Sequence, residues 1–224
     1  MRQAIEHAID KEAICDTIGY GYWTPVNQAA IPASWAYNPD VVGYPYNPEK
    51  SRQLLTEAGY PNGFKTTIFT MNTPAYIVSF MTANQGYLRE VGIDVEMDIM
   101  DHGRFYSIFA GGGWTDGITI FPMGLSPDEL GLLNRIYTPE SVLFGTALKP
   151  AEFQEALARA MTSPDFETKQ ARTHELQKLM VDQYAMAHWT HSPSLPIPKY
   201  PEVHDDRMGI VGNEWSPEDA WLSK

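Results

Sequence analysis

The sequence predicts an α/β domain whose sheet is mostly parallel and flanked by helices. Strand-like and helical segments alternate between residues 65 and 121, which is the order of a sheet built from crossover connections. Residues 93–99 alternate apolar and acidic side chains with a period of two, so they form a strand with one buried and one acidic face. A hydrophobic share of 43% in 224 residues is enough for a substantial core.

The chain begins with a predicted helix and a long extended segment. Ile5, Ala8 and Ile9 fall on one helical stripe, which predicts a helix from residue 2 to about residue 15. Residues 19–48 are rich in proline, glycine and aromatic residues. We expect this segment to be an ordered, extended excursion, because its aromatic rings need a surface to bury against.

The stretch YNPEKSRQLLTEAGYPNGF carries the boundary signals of a helix from residue 48 to residue 58. Asn47 can cap the free amides, and Pro48 suits the first helical position. Gly59 can adopt the left-handed conformation that ends a helix, and Pro61 prevents its continuation.

The remaining elements follow from periodicity and composition. Strand, helix, strand, helix and strand are predicted in that order at residues 65–71, 74–91, 93–99, 102–110 and 118–121. Two more helices and a last strand are predicted at residues 150–162, 166–184 and 185–191. Ser163 or Asp165 is the expected cap of the helix that begins at residue 166.

Charge and cysteine content exclude several classes of partner. The chain has 28 acidic and 16 basic residues, a net charge of −12, and no run of Lys and Arg, so nucleic acid is not an expected partner. Cys15 is the single cysteine, which rules out an intramolecular disulfide and favours a buried thiol over a reactive one. No stretch approaches the roughly 20 apolar residues of a membrane span, and the first residues lack the apolar core of a signal peptide.

Residues 111–117, GGGWTDG, are the first candidate for a functional site. A phosphate loop requires a lysine and a hydroxyl residue after its glycines, whereas Trp114 and Asp116 follow here, and an acid repels phosphate. His188 and His191 point to opposite faces of the predicted strand, so no metal site is expected there. No nucleophile motif is present either, so the sequence predicts no catalytic residue, metal or cofactor.

Two roles remain open for Trp114. In the first, its ring is part of the core. In the second, the glycines let a ligand approach the backbone while the indole forms a flat wall, since α/β folds bind ligands in crevices at strand ends.

Three stretches together resemble one family. RQAIEHAIDKEAI, YNPEKSRQLLTEAGYPNGF and EVGIDVEM are similar to the second half of extracytoplasmic solute-binding proteins of family 5, which serve peptide and nickel ABC importers. The resemblance covers the whole chain and is strongest from residue 1 to residue 100. It implies the type II periplasmic-binding-protein-like fold, with residues 1–200 as the α/β ligand-binding lobe. Residues 201–224 resemble a tail that returns to a missing N-terminal lobe.

The resemblance also implies partners and a location. The protein would capture a small solute such as an oligopeptide between its two lobes and deliver it to a membrane ABC permease. It would be periplasmic or extracellular and membrane-anchored, with the export signal and the lipid-modified cysteine outside this chain. The family also takes metal chelates, opines and sugars, and the resemblance implies no cofactor.

The resemblance implies a site at Gly113, Trp114, Thr115, Asp116 and Gly117. The family commonly has a Gly-Trp pair followed three residues later by an aspartate that pairs with the amino terminus of a peptide. Gly113 and Trp114 match, but the aspartate comes one position early and Gly117 holds its usual place. In this interpretation Trp114 stacks on the solute, Asp116 meets a cationic group and the amides of residues 111–113 bind polar atoms. The shifted aspartate leaves peptide binding itself in question.

A receptor without a chemical step is therefore the main functional hypothesis. A single lobe would bind weakly or undetectably, because half of the contacts are missing. A rival hypothesis is an α/β enzyme acting on a small cationic substrate, with Asp116 as acid or base. It predicts Asp116 buried against a closed cavity, whereas the receptor predicts an open aromatic face. A third hypothesis, a scaffold domain, predicts an exposed apolar patch without converging polar groups.

Overall fold

The computed structural model describes residues 1–120, 128–141, 145, 147–186, 190–191, 200–205 and 220–223. Within them the helices are α1 (Arg2–Ala8), α2 (Lys11–Thr17), α3 (Pro48–Glu57), α4 (Ala75–Glu90), α5 (His102–Ala110), α6 (Glu129–Tyr137), α7 (Ala151–Met161) and α8 (Phe166–Lys178), which continues as a π-helix, Leu179–Gln183. The strands are β1 (Thr24–Pro25), β2 (Phe64–Met71), β3 (Ile93–Met100), β4 (Gly117–Thr119), β5 (Thr190–His191), β6 (Val203–His204) and β7 (Trp221–Leu222).

The central sheet has three parallel strands in the order β3-β2-β4. The chain moves from β2 to β3 on one side and from β3 across β2 to β4 on the other. Because crossover connections are right-handed, α4 and α5 cover opposite faces of the sheet. The predicted parallel α/β architecture is thus confirmed. Two short antiparallel pairs, β1 with β5 and β6 with β7, complete the described strands.

The predicted first helix is two helices in the structure. Ile9 has an extended backbone (φ −107°, ψ 121°) and ends α1, so the prediction of one helix from residue 2 to residue 15 is wrong. The reason is Asp10, whose side chain accepts a 2.9 Å hydrogen bond from the backbone of Ala13 and caps α2 instead. A 2.8 Å ion pair between Lys11 and Glu6 spans the break.

The helix-boundary signals around α3 are confirmed. The Asn47 side chain accepts from the amide of Lys50 at 2.9 Å, Pro48 is the first helical residue, and Gly59 has a φ of +91°. The acidic face of β3 is present too, but its apolar alternation ends early. Ile99 is 48% exposed while Met100 is buried, because β3 lies at the sheet edge and α5 begins beside its last residue.

A second hydrophobic core lies beyond the sheet. It contains residues of α6, α7 and α8, and the partly buried ring of Trp35 packs against it. Helix α6 was not among the predicted elements. The predicted helix over 150–162 is α7, and Asp165, not Ser163, caps α8 through the amide of Thr168. The helix predicted to end at residue 184 takes π-helical geometry in its last turn.

The excursion over residues 19–48 joins the two cores. Trp23 packs against the first core, and Trp35 packs against the second. The Asn38 side chain donates a 2.8 Å hydrogen bond to the carbonyl of His174 in α8, and the Tyr44 hydroxyl lies 2.9 Å from the carbonyl of Asp182 in the π-helix. The expectation of an ordered segment that buries its rings is met by Trp23 and Trp35 but is wrong for Tyr22, which is 73% exposed.

Two smaller predictions have different outcomes. Cys15 is buried, and burial raises the pKa of its thiol to about 11, which agrees with a structural and unreactive cysteine. Of the described residues in the strand predicted over 185–191, Thr190–His191 form a strand and Ala185 and Met186 do not. Ala185 has a positive φ of +44°, which no strand allows, and residues 187–189 lie outside the described part.

Candidate functional site

Residues 111–117, called here the glycine loop, join α5 to β4 at the amino-terminal edge of the sheet. Gly117 pairs with Thr67 in the first half of β2. The backbone carbonyl of Asp116 accepts a 3.1 Å hydrogen bond from the Thr66 hydroxyl. The loop therefore comes before its strand. In open α/β sheets, ligands bind beyond the carboxyl ends of the strands, which is the opposite edge.

The backbone geometry of the loop explains why glycine occupies positions 111–113. The amide of Gly111 bonds to the carbonyls of Ser107 and Ile108 at 3.0 Å and closes α5. Gly112 and Gly113 have φ values of +113° and +87°, a conformation that favours glycine. A Cβ at Gly145 would lie 2.7 Å from the carbonyl oxygen of Gly112, so the two backbones pack closely. The loop is a helix-ending turn that Gly145 approaches closely.

Trp114 packs against the first core. Its ring stacks on Phe69 with centroids 5.7 Å apart and an interplanar angle of 20°. The ring of Phe105 lies 4.6 Å away on the α5 side. The indole nitrogen is buried and has no hydrogen-bond partner among the described residues. The first of the two roles left open by the sequence, a ring in the core, matches this arrangement.

Thr115 and Asp116 are exposed, as are Gly111, Gly112 and Gly117 of the glycine loop. Asp116 has a left-handed φ of +59° and borders an open cleft of about 580 Å³, which is also lined by Lys65, Asp94 and Glu96. Lys65 and Asp94 pair at 3.5 Å across this cleft. Asp116 is thus solvent-exposed at an open surface, not buried against an enclosed cavity.

Gly117 occupies the place where the resemblance leads one to expect the aspartate. A Cβ at this position would overlap the ring of Phe69 and approach the carbonyl oxygen of Thr67. An aspartate at position 117 would therefore point into the packed ring. Because the Phe69 ring leaves no room for a side chain at position 117, the packing here favours glycine at that position.

The carboxyl edge of the sheet presents a different set of groups. Asn72 and Thr73 follow β2, and His102 begins α5 just after β3; all three are exposed. The amide of Asn72 donates to the carbonyl of Met100 at 2.8 Å, which joins the two strand ends. His102 Nε2 lies 3.1 Å from the carbonyl of Thr73, and the Thr73 hydroxyl donates to Asn72 Oδ1 at 2.8 Å.

An aromatic pair lies beside these polar groups. Tyr76, in the first turn of α4, meets Trp23 edge to face with ring centroids 5.7 Å apart. Trp23 also contacts Phe80, at 6.1 Å. We call Trp23, Asn72, Thr73, Tyr76 and His102 the carboxyl-edge surface. It combines amide, hydroxyl and imidazole groups with partly buried rings, the usual lining of a small-molecule site.

One ion pair lies close to this surface. Arg104 donates two hydrogen bonds, of 2.8 and 2.7 Å, to the two carboxylate oxygens of Asp98. Among the described residues, no group of three or more His, Cys, Asp and Glu side chains has the arrangement of a metal site. His188 lies outside the described residues, as does the side chain of His191, so their predicted orientation stays a prediction. No helix in the described part is long and apolar enough to cross a membrane.

Sequence reasoning missed the carboxyl-edge surface because it followed the conspicuous glycines. The predicted ends of the strands could have indicated this surface. Parallel strands that end near residues 71 and 99 bring the residues that follow them to the same edge of the sheet. Asn72 and Thr73 come directly after the first of these strands, and Asp101 and His102 come directly after the second.

Comparison with known proteins identifies the family. Residues 1–122 match the family model described as bacterial extracellular solute-binding proteins, family 5 Middle. The chain belongs to this family. The glutathione-binding protein GsiB of Pectobacterium atrosepticum is 33% identical over 189 residues, which cover 79% of this chain and 36% of that protein. GsiB of Escherichia coli K12 is 29% identical over 88% of this chain and 38% of that protein. The chain thus spans little more than a third of these relatives.

Solved structures agree with this assignment. The periplasmic binding protein DppA from Helicobacter pylori, in complex with the peptide STSA, is 28% identical with a TM-score of 0.72, over 80% of this chain and 35% of that one. A dipeptide-binding protein from Pseudoalteromonas sp. SM9913 shares the fold with a TM-score of 0.78 at 23% identity, over 99% of this chain and 45% of that one. The fold is that of type II periplasmic binding proteins. Members of the family are periplasmic or extracellular solute-binding proteins rather than enzymes.

Proposed function

We propose that this chain is the solute-capturing lobe of a binding protein that serves an ABC importer. A peptide or similar small polar solute would lie between this lobe and a second one. Contacts made only in the closed arrangement would shift the population toward it, and the membrane permease would recognise that closed form.

The observation that carries the proposal is the open carboxyl-edge surface. Asn72, Thr73 and His102 present hydrogen-bonding groups to solvent at the edge where α/β sheets bind ligands, and Trp23 and Tyr76 lie beside them. Such a surface offers one half of a site that another lobe can complete. Together with a chain that spans 36% of a family relative, it supports a shared site between two lobes.

The rival enzyme hypothesis receives less support. It requires Asp116 in an enclosed cavity beside a second catalytic group, whereas Asp116 is exposed at an open cleft. The cleft also holds Lys65 paired with Asp94, an ordinary surface ion pair. We therefore propose that no chemical step takes place on this chain.

The solute contacts are assigned to the carboxyl-edge surface in this proposal. The contacts predicted at Gly113, Trp114, Thr115, Asp116 and Gly117 stay a prediction. The position of the glycine loop at the amino-terminal edge and the packing of Trp114 on Phe69 favour the carboxyl-edge surface over it. A metal chelate, an opine or a sugar remains an alternative class of solute within the same proposal.

The proposal extends to the tail and to location. Residues 201–224 would return to the N-terminal lobe, and residues 1–200 would form the ligand-binding lobe. The exposed side chains of Trp221 (51%) and Leu222 (71%) in β7 support a further contact for the tail. The complete protein would be a lipoprotein anchored to the membrane outside the cytoplasm, beside its permease.

A thermal-shift screen of the full-length protein that carries this chain tests the proposal. The probes are di- and tripeptides, glutathione, amino-acid derivatives, nickel–histidine, opines and sugars. A solute at a hundredfold excess over its Kd adds about 2.7 kcal/mol to the free energy of unfolding, which raises the melting temperature by several degrees. No shift with any probe class would contradict solute capture. Turnover of a probe in the same samples would revive the enzyme hypothesis.

A further inference from the structure

A short turn beside the carboxyl-edge surface holds two tyrosines in a fixed position. The amide of Tyr22 donates to the carbonyl of Gly19 at 2.8 Å, and Tyr20 and Gly21 between them have φ values of +51° and +76°. A positive φ at tyrosine is uncommon and is kept only where the surroundings determine the turn. Gly19 has no room for a side chain, since a Cβ there would overlap Trp23.

The two tyrosine rings point away from the protein. Tyr20 is 83% exposed and Tyr22 is 73% exposed, and neither side chain makes a hydrogen bond or ring contact with a described residue. By contrast, Trp23, the next residue along, is packed against Tyr76 and Phe80. The turn is therefore anchored at one end by a core tryptophan and offers two large rings to solvent.

The turn lies within an uncharged stretch of the sequence. Residues 17–39 contain no Asp, Glu, Lys, Arg or His, in a chain with a net charge of −12. Asn72 and Thr73, which follow β2 in the carboxyl-edge surface, are uncharged as well. An apolar solute group that packs on these rings would bury apolar surface without desolvating any charged side chain of residues 17–39.

We propose that Tyr20 and Tyr22 contact an apolar or aromatic side chain of the captured solute and set the preference for it. This inference rests on the proposed function and adds a chemical class to it. Tyrosine suits the role because its ring gives a large contact area with only two rotatable side-chain bonds. The fixed turn lowers the entropy lost when the rings are ordered against the solute.

The test compares two probes that differ by one phenyl group. Calorimetric titration of the full-length protein uses tri-alanine and Ala-Phe-Ala, with the wild type and the double variant Tyr20→Ala/Tyr22→Ala. The wild type is expected to bind Ala-Phe-Ala about tenfold more tightly than tri-alanine. In the double variant this preference falls to about twofold or less, while the affinity for tri-alanine stays unchanged.

Tyr200, which is 80% exposed in the tail, provides the matched control. Tyr200→Ala keeps the full preference for Ala-Phe-Ala, and urea unfolding verifies that all variants are folded. An equal loss of affinity for both tripeptides would assign the tyrosines to contact between lobes and overturn the inference. So would a protein that binds only solutes without an apolar side chain. A protein that binds no solute at all would contradict the proposed function itself, which separates the two failures.

Discussion

At the amino-terminal edge of the central sheet, the glycine loop turns its one aromatic ring into the core. At the carboxyl edge, Asn72, Thr73 and His102 are exposed to solvent and hydrogen-bond to one another. The glycine-rich sequence thus lies at the amino-terminal edge, where its tryptophan packs in the core. An unusual run of glycines marks a backbone constraint first, and a ligand site only where its position in the sheet agrees.

The sharpest test of the structural role of the glycine loop is Gly117→Asp. It restores the aspartate to the position expected from the family, yet its Cβ overlaps the Phe69 ring. We expect the free energy of unfolding to fall by about 3 kcal/mol, because the new Cβ overpacks against the Phe69 ring and the Thr67 carbonyl. Urea denaturation measures this loss. Thr115→Asp adds the same charge at an exposed position two residues earlier and serves as the control, with a change of about 0.5 kcal/mol or less.

Trp114→Ala separates a core ring from a solute wall. Removing the ring that packs on Phe69 and Phe105 is expected to cost about 3 kcal/mol of stability. Solute affinity of the folded fraction should stay within about twofold of the wild type. Trp221→Ala removes a half-exposed indole and should change stability by less than about 1 kcal/mol. If the Trp114→Ala variant kept its stability but no longer bound the solute, the glycine loop would be part of the binding site.

Glu129, in a helix of the second core, is expected to make the stability of the protein depend on pH. This residue begins α6, is buried, and has one carboxylate oxygen without a partner among the described residues; burial raises its pKa. Its stabilising contribution is therefore complete below the pKa of the unfolded chain and is lost as pH rises through the higher folded value.

Glu129→Gln keeps the shape and removes the charge. We expect the variant to be more stable than the wild type by about 1 kcal/mol at pH 8 and to match it near pH 4, as measured by urea denaturation at both values. Glu152→Gln, at an exposed position in α7, is the control and should not show this difference between the two pH values. A variant less stable than the wild type at pH 8 would mean that the carboxylate has a charged partner.

Local signals predicted most of the first core. The caps of α3 and the period of β3 depend on residues close in sequence, and both appear in the structure as expected. The break at Ile9 was missed because an aspartate inside an apolar stripe can either face solvent or cap a new helix, and only tertiary packing decides between them.

The site was harder to predict for a physical reason. The role of Trp114 depends on Phe69 and Phe105, which lie 45 and 9 residues away in sequence and meet it only through the order of the strands. The carboxyl-edge surface likewise exists only because two parallel strands end side by side. The period of apolar residues predicts where the strands are. The edge of the sheet at which a loop lies depends on the order and direction of those strands.

The most direct test of the central claim is a paired calorimetric titration of Asn72→Ala and Asp116→Asn in the full-length protein, using the solute with the largest thermal shift. Both side chains are exposed, so both variants should keep the stability of the wild type. Asn72→Ala is expected to weaken binding about tenfold, and Asp116→Asn less than twofold. The reverse order, with Asp116→Asn causing the large loss, would contradict a site at the carboxyl edge and place the solute at the glycine loop.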